Sequence, residues 1–163
     1  MITHGDIVWE YLIKEQHVLV DDGAFLIRDS LLHKDQEPTD YSYLVFPFAK
    51  LYEGFLKDVF LQLGIITTYD YASNRFRIGK VLNPNIANQL HGKSAYLQLK
   101  NRYGNDVADH LWYAWKQGRN LVFHYFPGNI RMLSRDQALS VIELLTGAME
   151  ELLKQTQIAR IKK

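Results

Sequence analysis

Apolar residues recur at intervals of three and four along residues 43–63, which form the strongest helical pattern in the chain. This spacing places the apolar side chains on one face of an α-helix that packs into a core. Gly64 follows at the position where a C-terminal cap belongs. Pro47 must either lie in the first turn of this helix or kink it.

The N-terminal part of the chain carries a less regular pattern. Residues 5–16 mix apolar and charged positions and predict a short amphipathic helix, whereas residues 17–20 are too few to classify and are a strand or a linker. Asp21 and Asp22 are expected to cap a second helix that ends near His33. The predicted apolar stripe of that second helix consists of Ala24, Phe25, Leu31 and Leu32.

Two stretches interrupt the helical pattern. Residues 34–40 are polar and contain Pro38, which predicts a loop. Residues 65–82 hold two short apolar runs around a small polar segment. They predict either a small β-hairpin or an extended connector, and the sequence does not distinguish the two.

The second half of the chain contains clear helix signals. Four helix starts are predicted, at Asn83-Pro84, at Ser94, at Asn105 or Asp106, and at Ser134. Gly104 ends the second of these helices, and Gln137 completes a capping box with Ser134. The pattern as a whole predicts an all-α helical bundle.

Composition narrows the class of protein. The chain has 163 residues, 47% apolar and 23% charged, which is typical of one globular domain. It has no cysteine, so disulfides and thiolate-bound zinc are excluded. No signal-peptide pattern is present, and no apolar run approaches the ~20 residues that span a bilayer. We therefore expect a cytoplasmic protein without a membrane contact. Its net charge of +1 leaves any nucleic-acid contact to a local patch.

Candidate chemistry centres on Arg119 and His124, which lie five residues apart in an apolar, aromatic stretch. Cleavage of RNA without a metal needs a group that takes the proton of the 2′-hydroxyl, and a fixed cation that stabilises the phosphorane. Histidine titrates near neutrality, and the planar arginine fork matches two phosphate oxygens. This pair is therefore sufficient for a ribonuclease that requires neither metal nor cofactor.

Helix geometry limits how Arg119 and His124 can come together. Five residues of an ideal helix correspond to a rotation of ~140° and a rise of ~7.5 Å, so Arg119 and His124 do not share a face. They converge only if the helix ends or distorts between them, or if a symmetric dimer brings two copies together. A composite site is expected for this reason.

The same spacing occurs a second time, between Arg28 and His33. Spacing alone therefore does not identify a site. Arg28 and His33 precede a polar loop and are readily explained as solvated surface residues. Arg119 and His124 lie among core-type aromatics, where polar groups need partners.

Arg119-Asn120-x3-His124, followed by a capped terminal helix, resembles the arginine–histidine signature of HEPN domains. Lys50 and Glu53 on the long helix resemble the basic-x-x-Glu pair of the HEPN domain in the RNase LS toxin family. The resemblance covers about residues 40–155. Residues 1–40 then either belong to the bundle or form a family-specific addition to a single domain spanning residues 1–163.

The resemblance implies a dimeric endoribonuclease that acts as a toxin of a toxin–antitoxin or antiphage system, with an antitoxin or inhibitor as partner. His124 is then the general base or acid, and Arg119 stabilises the phosphorane. Glu53 orients one of these two, Lys50 holds the scissile phosphate, and Asn120 fixes the local hydrogen bonding. The alternative is a non-catalytic helical module that dimerises or binds RNA.

Overall fold

The computed structural model describes residues 2–33 and 37–159 of the chain, and in these ranges it contains helices and no β-strand. The α-helices are α1 (Ile7–Tyr11), α2 (Lys14–Leu32), α3 (Ser42–Gln62), α4 (Thr68–Ala72), α5 (Ile78–Val81), α6 (Ala95–Tyr103), α7 (Asn105–Trp115) and α8 (Arg135–Thr156). Pro84–Leu90 and Pro127–Asn129 are 3₁₀ helices, and Lys116–Leu121 is a π-helix. The all-α prediction is confirmed.

Helix α3 is the centre of the bundle and packs against α2 on one side and α8 on the other. Its predicted apolar face is buried; the largest fully buried side chains on it are Leu44, Phe48, Leu51, Tyr52, Phe55, Leu56 and Phe60. Pro47 lies in the second turn rather than the first, inside the helix and buried. Because proline has no N–H, this turn lacks one backbone hydrogen bond.

The end of α3 has the predicted glycine cap. Gly64 has a φ of +67°, a conformation that glycine adopts without a steric penalty. The backbone N–H of Ile65 donates to the Phe60 carbonyl at 2.8 Å, and that of Gly64 donates to the Leu61 carbonyl at 3.0 Å. These two bonds form a Schellman motif, which satisfies carbonyls that the helix end leaves unpaired.

The predictions for the N-terminal part were wrong in their boundaries. The expected helix over residues 5–16 is broken after Tyr11, and α2 begins at Lys14, where Gln16 accepts a hydrogen bond from the backbone N–H of Ile13. Residues 17–20 and the aspartates expected as caps, Asp21 and Asp22, lie inside α2. Packing against α3 therefore extends the helix through a β-branched run, overriding local propensity.

The predicted apolar stripe of α2 was also wrong. Phe25 is 59% exposed and Leu32 79% exposed, and Leu31 is exposed as well. The buried face instead carries Val20, Gly23 and Ile27. A Cβ at Gly23 would lie 2.4 Å from a ring carbon of Phe48, so this glycine allows α2 to approach α3 closely. The loop predicted over residues 34–40 is non-helical at residues 37–40, and residues 34–36 lie outside the described residues.

Residues 65–82 form neither a hairpin nor a purely extended connector, because they contain α4 and α5. Thr67 and Asp70 make a capping box at the start of α4. The Asp70 backbone N–H donates to the Thr67 hydroxyl at 3.1 Å, and Asp70 Oδ2 accepts from the Thr67 N–H and hydroxyl. The capping box begins α4, which buries no residue, whereas α5 has no side-chain cap and buries Ile78 and Val81.

The cap signals of the second half are confirmed. Asn83 caps the 3₁₀ helix that starts with Pro84, Ser94 caps α6, and Gly104 separates α6 from α7 with a φ of +94°. Ser134 and Gln137 form the predicted capping box of α8. Helix α8 packs against α1, α3 and α7. Within the described part of the chain, no helix combines the length and apolarity required to cross a bilayer.

Candidate functional site

A groove of about 500 Å³ lies between α2, α3 and the segment that follows α7. Its polar lining consists of Lys50, Glu53, Lys57 and Arg119. Its apolar walls are Leu19, Phe46 and Phe123, with the small residues Ala49 and Gly54 on the floor. We call this the α3 groove. It brings together three of the five residues predicted for the site.

The α3 side of the groove follows directly from sequence spacing. Lys50, Glu53 and Lys57 are three and four residues apart on α3, so they lie on one face of the helix. Lys50 is exposed, and Glu53 and Lys57 are half-buried. These three side chains therefore form a polar ridge on α3 that borders the groove.

Arg119 enters the groove from the other side. Its Nε donates to Oε2 of Glu53 at 3.4 Å, with Arg119 41% and Glu53 28% exposed. The guanidinium carbon lies 5.6 Å from the ring centre of Phe123. The rings of Phe123 and Phe46 pack edge to face, with their centres 5.7 Å apart. The carboxylate and the ring hold the guanidinium in one orientation.

The terminal nitrogens of the Arg119 guanidinium are available to a ligand. The bond to Glu53 uses Nε, and the terminal nitrogens of Arg119 make no hydrogen bond to other described residues. These are the nitrogens that form a two-pronged contact with phosphate oxygens. With Lys50 and Lys57 beside it, Arg119 gives the groove three cations and one carboxylate, which favours an anionic ligand.

A local distortion of the helix presents Arg119 to the groove. Helix α7 continues into the π-helix Lys116–Leu121, in which backbone bonds join residues five apart, and regular helix ends at Leu121. Gly118 is buried in this segment, and a Cβ there would lie 2.6 Å from a methyl carbon of Leu145. The glycine thus allows the π-helix to lie against α8. The helix both distorts and ends between Arg119 and His124.

His124 lies beyond the end of the π-helix and is exposed, and Tyr125 beside it is 78% exposed, so the core-type setting expected for His124 was wrong. Its Nε2 lies 3.1 Å from Oδ1 of Asn120. With the amide oxygen as acceptor, the neutral imidazole carries its hydrogen on Nε2 and leaves the lone pair of Nδ1 free. Asn120 is therefore the hydrogen-bond partner of His124 among the described residues.

Within one chain, the five predicted residues form two groups. Lys50, Glu53 and Arg119 border the α3 groove, whereas Asn120 and His124 bond to each other outside its lining. The described residues show no hydrogen bond or ion pair that joins Arg119 to His124. The distorted helix does not by itself bring them into contact.

The second arginine–histidine pair lies on the surface. Arg28 is exposed on α2, and Nδ1 of His33 lies 3.3 Å from the carboxylate of Asp29, also at the surface. Neither residue borders a groove with the other polar residues named above. The expectation of solvated surface residues describes this pair correctly.

Sequence reasoning missed the aromatic wall of the groove. Phe46 and Phe48 are only two residues apart on α3, but Phe48 is buried in the core. Phe46 is 56% exposed and pairs with Phe123 instead. The helical period could have separated Phe46 from Phe48, because they are two residues apart and so point to different faces.

Comparison with known protein families, with curated proteins and with solved structures found no match.

Proposed function

We propose that this protein is an endoribonuclease that cleaves single-stranded RNA by attack of a 2′-hydroxyl on the adjacent phosphate. The observation that carries the proposal is the Arg119 guanidinium, which bonds to Glu53 in a groove that Lys50 also borders. His124 follows Arg119 by five residues and bonds to Asn120. The resemblance of these residues to the HEPN signature supports the same chemistry, which uses no metal or cofactor.

The chemistry divides between the two groups of residues. Nδ1 of His124 takes the proton of the 2′-hydroxyl, the 2′-oxygen bonds to phosphorus, and the bond from phosphorus to the 5′-oxygen breaks. The products are a 2′,3′-cyclic phosphate and a 5′-hydroxyl, whose oxygen takes up a proton. Arg119 stabilises the charge on the phosphorane through its free nitrogens, and Lys50 holds the phosphate. Glu53 acts as a positioning residue for Arg119.

A second copy of the chain completes this arrangement. Arg119 and His124 each have a partner within the chain, but not each other. In a two-fold dimer, His124 of one subunit and the α3 groove of the other would meet in one cleft. Phe46 at the groove and Tyr125 beside His124 are 56% and 78% exposed and supply an aromatic surface for such a contact. We therefore propose a homodimer with composite sites.

On this proposal the protein acts in the cytoplasm as a toxin whose activity an antitoxin or inhibitor protein holds in check. Expression in a bacterial host should arrest growth, and His124→Ala should relieve the arrest. A small neighbouring gene whose product restores growth would identify the inhibitor.

The test of the ribonuclease uses purified protein, single-stranded RNA and excess chelator. Wild type should cut the RNA and leave a cyclic phosphate end, whereas Arg119→Ala and His124→Ala should not. Arg28→Ala is the matched control, because Arg28 has the same spacing to a histidine but lies on the surface. Intact RNA with wild type, or equal cutting by His124→Ala, would refute the proposal.

The separation of Arg119 and His124 within one chain favours one other candidate, a non-catalytic module that binds RNA or dimerises. RNA binding by wild type that is unchanged in His124→Ala, without any cleavage, would support that alternative.

A further inference from the structure

A second groove lies apart from the α3 groove, along the chain from the end of α3 to the start of α6. It has a volume of about 650 Å³ and four cationic side chains in its lining: Arg75, Arg77, Lys80 and Lys93. Its lining contains one carboxylate, that of Asp70. We call this the basic groove. A surplus of three positive charges in one groove is notable because the whole chain has a net charge of +1.

The cations of the basic groove are exposed, and most are not engaged by the protein. None of the ion pairs formed by the described residues involves Arg75, Lys80 or Lys93. Arg77 donates from Nη1 to the backbone carbonyls of Asn74 and Phe76, at 2.6 and 2.9 Å. These bonds fix its guanidinium without neutralising its charge.

The carboxylate of Asp70 belongs to the cap of α4, where it accepts hydrogen bonds from the protein itself. The hydroxyl and the backbone N–H of Thr67 both donate to it. These hydrogen bonds, with a smaller contribution from Lys93, hold the pKa of Asp70 below its ordinary value. Asp70 therefore stays ionised at neutral pH, and its negative charge is the one already subtracted in the surplus of three.

Two aromatic side chains also border the basic groove. Tyr69 is 81% exposed, and Phe76 is half-buried. A tyrosine ring this exposed contributes little to the core and remains available for stacking. Cations that track a phosphate backbone, combined with exposed aromatic rings, are the chemistry that binds single-stranded nucleic acid.

The two grooves adjoin at Lys57 and Phe76. Lys57 borders the α3 groove, and its Nζ lies 5.9 Å from the ring centre of Phe76, which borders the basic groove. A strand bound in one groove can therefore extend towards the other past Lys57 and Phe76.

We infer that the basic groove binds the single-stranded RNA that flanks the scissile phosphate, with phosphates on Arg75, Lys80 and Lys93 and a base stacked on Tyr69. The choice of RNA rests on the proposed ribonuclease function. The positive charge and the aromatic rings of the groove are independent of that proposed function.

The test measures binding of a fluorescent 2′-O-methyl oligouridylate of about 12 nucleotides, a length within the range that single-strand grooves cover. Its blocked 2′-oxygens prevent cleavage, so binding is read separately from catalysis. Loss of two phosphate contacts in Arg75→Gln/Lys80→Gln should reduce the slope of log affinity against log salt by about 1.4. This slope change weakens binding about 25-fold at about 0.1 M salt and about 10-fold at about 0.2 M.

Two further variants separate charge from stacking. Lys14→Gln/Arg28→Gln removes the same charge from exposed positions of α2 that border neither groove, and should bind within about twofold of wild type. Tyr69→Ala should weaken binding roughly 5- to 100-fold without a change in salt slope, and Tyr69→Phe should restore it. All positions are exposed, and thermal unfolding checks that each variant is folded.

The inference is overturned if wild type does not bind the oligouridylate at low salt, or if the variants of the basic groove bind as the α2 control does. Duplex RNA bound as tightly as the single strand would also overturn it, because paired bases cannot stack on Tyr69. The proposed ribonuclease can fail separately: weakened binding by the basic-groove variants with no RNA cleavage by wild type supports the groove and refutes the nuclease. Cleavage by wild type with unchanged binding by the groove variants supports the nuclease and refutes the binding role of the basic groove.

Discussion

Nε of Arg119 lies 3.4 Å from Oε2 of Glu53, so the bond joins residues that are 66 positions apart in the chain. It connects the π-helix to the polar face of α3 across the α3 groove. Both side chains are partly exposed, at 41% and 28%, so the pair contributes less than ~1 kcal/mol to stability. Its consequence is orientation: the carboxylate takes the inner nitrogen of the guanidinium and leaves the outer nitrogens for a phosphate.

Replacement of Glu53 should therefore affect turnover more than folding. In Glu53→Gln we expect kcat on RNA to fall about 10- to 100-fold, because the guanidinium loses its fixed orientation. KM and the thermal midpoint should change little. Glu143→Gln, an exposed site on α8, is the control. An unchanged kcat in Glu53→Gln, or an equal loss in the control, would contradict the positioning role.

Replacement of Arg119 by lysine tests the geometry of the guanidinium at constant charge. Lysine keeps the positive charge but has no planar fork, so cleavage by Arg119→Lys should fall by about 100-fold. Arg28→Lys should cleave as wild type does, because Arg28 is a surface residue. Full activity of Arg119→Lys would show that charge alone suffices.

A mixing experiment tests the composite site. Arg119→Ala and His124→Ala should each be inactive alone. If each site takes Arg119 from one subunit and His124 from the other, half of the randomly mixed dimers regain one intact site. The mixture should then reach about a quarter of wild-type activity. A mixture that stays inactive, although the subunits exchange, would show that each site lies within one chain.

Gly118, which lies against α8, and Gly147, which lies within α8, should respond oppositely to alanine. A Cβ at Gly118 would lie 2.6 Å from Leu145, so Gly118→Ala forces the π-helix away from α8 and should destabilise the fold by ~1–3 kcal/mol. Gly147 lies within α8 with nothing within 4 Å of its Cβ position, so Gly147→Ala should stabilise by up to ~1 kcal/mol. Urea unfolding measures both. Equal effects of the two substitutions would argue against close packing at Gly118.

Tyr96 predicts a pH dependence of stability in alkaline solution. Its hydroxyl donates to Oδ1 of Asp109 at 2.5 Å, and this bond raises the pKa of Tyr96 from 10.0 to about 12. Only the protonated phenol donates, so the stabilisation is complete below the unfolded pKa and is lost as the pH rises through the folded one. Wild type should therefore lose more stability than Tyr96→Phe when the pH is raised across this window.

The control for this experiment is Tyr113→Phe, which removes a hydroxyl from an exposed ring on α7. It should follow the wild-type curve of unfolding free energy against pH. The same alkaline loss in Tyr96→Phe as in wild type would contradict the assigned hydrogen bond.

Local signals in the sequence were reliable where a few neighbouring atoms decide the structure. Ser94, Gly104 and Ser134 mark helix ends because a cap involves only the next three or four residues. The face of α3 was predictable because a repeat over twenty residues leaves one way to bury it. The placement of Lys50 and Glu53 on one face followed from the same spacing.

The face of α2 was not predictable in this way. Its sequence has apolar residues on more than one side, and the choice between Phe25 and Val20 depends on what α3 presents. Gly23 contributes by letting the ring of Phe48 approach the helix, a contact that no local pattern encodes. Residues 65–82 were ambiguous for a related reason, because four- and five-residue helices carry too few turns to show a period.

The sequence by itself determined the all-α class, the caps at Gly64, Ser94, Gly104 and Ser134, and which residues could carry phosphate chemistry. Only the tertiary structure decided which of them meet. The π-helix lies against α8 because Gly118 is small, and this contact sets the direction from which Arg119 reaches Glu53. In the folded chain His124 bonds to Asn120 and not to Arg119. Such meetings depend on the packing of side chains distant in sequence, which spacing along one helix does not specify.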